Sequence, residues 1–95
     1  MGKLDFALKQ EKLDDGSFIA LLHLKGSIDG STVKSFESKT LGLCDQGTKY
    51  LVLNFDKVGY VNSTGLGMLV KILDKYREND GDVKLVKVPH KVADL

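Results

Sequence analysis

The sequence predicts an α/β fold: a mixed, mostly parallel β-sheet with helices packed on one face, in the order β-β-α-β-α-β. Three observations carry this reading. Residues 18–24 and 50–55 are nearly continuous in apolar side chains, the mark of strands inside a sheet. Residues 64–78 place Leu66, Leu69, Val70, Leu73 and Tyr76 on one helical face and Lys71, Asp74, Lys75 and Glu78 on the other. That one-sided stripe belongs to a helix lying on a sheet. Strand and helix patterns also alternate along the chain, which implies parallel pairs joined by right-handed crossovers.

Each element follows from its own residues. Leu4, Phe6 and Leu8 alternate with polar neighbours and read as a half-buried strand. Asp14-Asp15-Gly16-Ser17 is a turn cluster that closes a hairpin. Residues 18–24 then form a strand covered on both faces. Residues 26–30 break it, and Ser31 caps a helix whose inner side uses Val33, Phe36, Thr40 and Cys44. Gly47 ends that connection. Residues 50–55 form a central strand with Leu51, Val52 and Leu53 at its heart. The helix over 64–78 stops at Asn79-Asp80-Gly81-Asp82, where Gly81 suits a positive φ. Residues 83–88 make the last strand before Pro89, and residues 91–95 begin a helix that the chain curtails. The expected core includes Leu21, Leu51, Leu53, Leu69 and Leu73.

Length and composition set bounds on function. The 95 residues suit one small domain over 1–95 with one modest core. Fourteen basic residues against 13 acidic give a net charge of +1, which argues against electrostatic capture by nucleic acid or an anionic membrane. No long apolar segment spans a bilayer, no signal peptide opens the chain, and the expectation is a cytoplasmic protein. The lone Cys44 forms no internal disulfide and no Cys/His cluster has zinc spacing.

The most informative segment is Asn62-Ser63-Thr64-Gly65-Leu66-Gly67. It lies where a strand hands over to a helix N-terminus. Free N–H groups and a positive dipole end favour an added phosphate there. Two glycines in the first turn cost about 1 kcal/mol each relative to Ala. They point to a bare, closely approachable surface. Without those glycines Ser63 and Thr64 read as helix caps, Thr64 stays mainly structural, and Asp29 reads equally as a turn residue before the first helix and as a partner contact.

Three segments together resemble the STAS domain, and most closely the stand-alone bacterial anti-sigma factor antagonists. Gly26-Ser27-Ile28-Asp29 resembles that family's Gly-x-Leu/Ile-Asp step, residues 51–55 its central strand, and residues 62–67 its Asp-Ser-Ser/Thr-Gly-Leu-Gly signature. The resemblance implies a STAS-like sheet, no enzymatic activity and no cofactor. It implies that an anti-sigma factor with serine-kinase activity binds the unphosphorylated chain, which frees a sigma factor. That kinase phosphorylates Ser63 and releases the chain, and a serine phosphatase resets it. Asp29, Asn62, Ser63, Thr64, Gly65, Leu66 and Gly67 are the implied partner-binding residues. Asn62 departs from the family's usual Asp and offers no carboxylate. That departure sustains an alternative: a STAS interaction module in another signalling or transport-associated complex, without reversible phosphorylation.

Enzyme motifs are missing around the same serine. Val61 stands where Gly-x-Ser-x-Gly needs its first glycine. His23 lies inside an apolar strand and His90 beside the only proline, so neither is a clear base for Ser63. No P-loop occurs, and Gly65-Leu66-Gly67 lacks the third glycine of a dinucleotide fingerprint. A small-ligand or nucleotide site at this helix start is the weakest reading.

Overall fold

A computed structural model describes residues 2–93. The elements are β1 (Leu4–Lys12), β2 (Phe18–Ile28), α1 (Val33–Asp45), β3 (Thr48–Val61), α2 (Ser63–Glu78), β4 (Asp82–Val86) and α3 (His90–Ala93). The four strands form one sheet in the order β1-β2-β3-β4. β1 pairs antiparallel with β2, while β2–β3 and β3–β4 are parallel. The expected mixed, mostly parallel sheet is therefore present, with a last one-turn helix α3. Residues 94–95 of the expected terminal helix lie outside the described residues.

The hairpin forms as its turn residues require. Gly16 takes φ +87, a conformation that costs glycine no Cβ clash. β2 and β3 run further than their apolar hearts suggest, to Ile28 and Val61. A register shift between His23 and Lys25 sets three β3 residues against two of β2. Asn54 Oδ1 accepts the Asp56 N–H there at 2.9 Å, a local side-chain substitute for a ladder bond.

The core sits between one sheet face and the helices. Ala20, Leu22 and Leu24 of β2 and Leu51, Leu53 and Phe55 of β3 are buried against Phe36 and Leu43 of α1 and Ile72 and Tyr76 of α2. Tyr76 donates a 2.7 Å hydrogen bond to the Thr40 carbonyl, joining α2 to α1 inside this layer.

Several expectations are corrected. β2 is covered on one face only: Leu21 is half-buried, as are Ile19 and Val52. A continuous apolar run does not report which face the helices take. Leu69 and Leu73 are half-buried rather than core, and Leu66 and Val70 are exposed, while Ile72 is fully buried. The inner stripe of α2 runs through Gly65, Ile72 and Tyr76, and at Gly65 the helix packs on Ile28 and Val61 with no room for a Cβ. Thr32, not Ser31, is the N-cap residue of α1, and its hydroxyl bridges the Ser27 carbonyl and the Asp29 N–H instead of capping. Leu43 is buried where Cys44 was expected, and Cys44 is half-buried. After α2 the left-handed residue is Asp80 (φ 61), not Gly81. Gly81 instead lets the backbone of Lys49 come close, where any Cβ would collide with it. β4 stops at Val86 because Lys87 turns left-handed (φ 55).

Candidate functional site

Two strand ends build the site. Ile28 and Val61 are paired partners at the ends of β2 and β3. The next residue on β3, Asn62, donates its N–H to the Ile28 carbonyl at 3.1 Å. Asp29 and Asn62 therefore follow one paired row and lie at the same end of the sheet.

Asn62 then starts α2. Its backbone is extended and its Oδ1 accepts the Gly65 N–H at 2.9 Å. Asn is among the best caps because its short amide oxygen reaches a first-turn N–H. Ser63 and Thr64 are thus the first two helical residues, and both are exposed. The reading of these hydroxyls as caps is corrected: Asn62 does the capping.

The two glycines divide their roles. A Cβ on Gly65 would sit 2.8 Å from the Ile28 carbonyl oxygen and 2.9 Å from the Ile28 and Val61 side chains. Gly65 is buried, so its first duty is close packing of α2 on the strand ends. A Cβ on Gly67 would meet nothing within 4 Å. Gly67 is exposed and leaves the helix bare toward solvent. It opens onto a groove between α1 and α2 that also contains Leu41, Val70 and Lys71. Lys71 closes on Glu37 of α1 across 2.6 Å.

Asp29 organises the neighbouring turn. Ser31 donates to its Oδ1 through both the hydroxyl (2.6 Å) and the backbone N–H (2.9 Å), and Ser27 Oγ donates to Oδ2 at 3.2 Å. The Ser31 bonds hold its carboxyl below the ordinary value of 3.8. The turn reading of Asp29 is therefore satisfied by geometry, with both carboxylate oxygens held inside its own turn.

Among the residues named from sequence, Ser63, Thr64, Leu66 and Gly67 are exposed together, Asn62 and Asp29 are half-buried beside them, and Gly65 lies beneath. Sequence reasoning missed two neighbours. Tyr60 is 53% exposed three residues before Ser63, and Val70 is 59% exposed one turn beyond Leu66. Their signal was a phase relation: Tyr60 falls between buried Val58 and Val61, and Val70 is out of step with Ile72 and Tyr76. No group of three or more His, Cys, Asp or Glu able to hold a metal occurs among the described residues. Among the described residues no helix is long and apolar enough to cross a membrane.

Fold and site define an α/β domain that presents a capped strand-to-helix turn on its surface. The STAS domain family model matches residues 10–95, and the chain belongs to that family. It is 30% identical over 70 residues to an anti-sigma-B factor antagonist of Staphylococcus aureus. That alignment covers 74% of this chain and 65% of the relative, just under two thirds of its length. Among solved structures, a Thermotoga maritima protein superposes with TM-score 0.73 at 20% identity, over 92% of this chain and 73% of that one. The Bacillus cell fate determinant SpoIIAA in its phosphorylated form superposes with TM-score 0.60 at 18% identity, over 81% and 68%. At such identities the structural likeness establishes the fold.

Proposed function

We infer that this chain is an anti-sigma factor antagonist worked by partner switching. In its unphosphorylated form it binds an anti-sigma factor with serine-kinase activity and so frees a sigma factor. The same partner phosphorylates Ser63, which ends binding, and a serine phosphatase restores the hydroxyl. Asp29, Asn62, Ser63, Thr64, Leu66 and Gly67 form the contact surface, and Gly65 keeps it in position. Leu66, Val70 and Tyr60 supply exposed apolar area around the acceptor.

The observation that carries this reading is the exposed Ser63 on the first turn of a helix capped by its neighbour. Its hydroxyl makes no hydrogen bond among the described residues and stands at the positive end of the helix dipole. The likeness to named antagonists supports the same function. The test is to mix purified chain, ATP and a candidate anti-sigma kinase, then locate phosphate by mass spectrometry. Transfer to Ser63, lost in Ser63→Ala while binding persists, supports the reading. Failure of this kinase to bind the chain overturns it.

Asn62 favours one second reading. Its amide is committed to the cap and carries no charge. A STAS module that binds its partner without reversible phosphorylation would give a stable complex and no transfer in the same experiment.

A further inference from the structure

The sheet face turned away from the helices carries a self-complementary charge pattern. Cross-strand register places Glu11, Ile19, Tyr50 and Asp82 in one row across all four strands. The adjacent row holds Lys9, Leu21, Val52 and Lys84. The first row is acidic at both edges and the second is basic at both edges, with apolar side chains between. The three ion pairs among the described residues use neither Lys9, Glu11 nor Lys84; Asp82 holds Arg77 at 3.3 Å.

Parallel strands are normally covered on both faces, because an open face leaves apolar side chains in water. Here Ile19, Leu21 and Val52 are half-buried on the open side, and with Lys9 and Glu11 they line a shallow hollow of about 520 Å³. Tyr50 projects beside it and is 40% exposed.

We propose that this face pairs with the same face of a second copy of the chain. Consider a two-fold axis that lies between the facing sheets and runs across the strands midway between the two rows. It brings Glu11 of each copy opposite Lys9 of the other, and Asp82 opposite Lys84. Ile19 meets Leu21 at the centre, and Tyr50 meets Val52 at the margin of the partner's hollow. The two sheets then pack aligned, with the skew of roughly 30° that sheet twist imposes. A closed two-fold contact of this kind is the commonest oligomer symmetry.

Area sets the strength. Four strands about 4.8 Å apart and two side-chain rows about 6.8 Å apart outline a contact that buries on the order of 500 Å² in total. That is the range of weak, reversible association. The dimer leaves the Ser63 turn uncovered, since that turn lies at the start of a helix on the opposite layer. It is independent of the function inferred above.

The test is sedimentation equilibrium of the full chain up to ~1 mM, at low salt, where surface pairs are least screened. Wild type self-associates. Glu11→Lys sets Lys against Lys at both symmetric contacts and Lys9→Glu sets Glu against Glu, and each weakens the dimer by about tenfold or more. An equimolar mixture of the two variants regains association as a heterodimer, because each new charge faces its opposite. Leu21→Lys, which puts a charge in the apolar centre, dimerises neither alone nor in any mixture. Melting curves confirm that all three variants fold. A monomeric wild type, charge variants that dimerise like wild type, or a mixture that stays monomeric would each overturn the proposal.

Discussion

Asn62 Oδ1 accepts the Gly65 N–H at 2.9 Å, so the residue before the candidate phosphate acceptor is also the cap of the helix that carries it. Asn62→Ala removes this bond and destabilises the chain by about 1 kcal/mol. Asn62→Asp keeps the acceptor and adds a negative charge at the positive helix end, a gain of about 0.3–1 kcal/mol. Chemical denaturation of the two variants checks both signs. An Asn62→Ala protein as stable as wild type would show that the cap is not structural.

The glycines should separate under substitution. Gly65→Ala drives a Cβ into the Ile28 carbonyl and the Val61 side chain, and costs about 1–3 kcal/mol. Gly67→Ala meets open space and raises stability by roughly 0.5–1 kcal/mol through helix propensity. The Gly67 variant should nevertheless bind the proposed anti-sigma partner more weakly, since the new methyl group stands on the proposed contact surface. Melting curves read the first effect and calorimetric titration the second.

Charge at Ser63 should act on binding and not on folding. Phosphorylation adds about 1.5–2 negative charges near a positive helix end, which the helix tolerates. A partner surface shaped for a hydroxyl must then desolvate an anion, at a cost of several kcal/mol. Ser63→Asp reproduces part of this, and Ser63→Ala keeps affinity near wild type. Equal affinity of wild type and Ser63→Asp, at equal stability, would mean that charge here is not the switch.

The turn around Asp29 predicts an acid dependence. Its folded carboxyl lies below the ordinary value of 3.8, mainly because of the two Ser31 hydrogen bonds. A depressed carboxyl stabilises the fold above its unfolded value and loses that contribution as pH falls through its folded value. Wild type should therefore exceed Asp29→Asn in stability above about pH 4, and the difference should shrink below it. A stability difference that does not change with pH between neutral and acid conditions would contradict this.

Tyr76 ties the helices together through its hydroxyl, which donates to the buried Thr40 carbonyl at 2.7 Å. Burial raises its pKa well above the ordinary 10.0, so the phenol stays neutral and keeps donating. Tyr76→Phe preserves the ring packing and loses the bond, at about 0.5–1.5 kcal/mol. An unchanged unfolding midpoint would show that the bond contributes nothing net.

Local pattern determined much of this protein. One alternating segment, the apolar runs and the helical spacings of three and four located all four strands and both long helices, and turn residues separated them. The motif at residues 62–67 and its strand-to-helix position were also visible, because caps, glycines and apolar runs are properties of neighbouring residues. Tertiary structure decided what depends on distant partners. The rotation of α2, which buries Ile72 and exposes Leu66 and Val70, follows from Gly65 meeting Ile28 and Val61 on two strands. The same contact made Gly65 structural and left Gly67 bare. Which face of β2 the helices cover, and therefore that Leu21 lies on the open side, was equally hidden. A continuous apolar strand is compatible with helices on either side, and only packing of the whole sheet chooses between them.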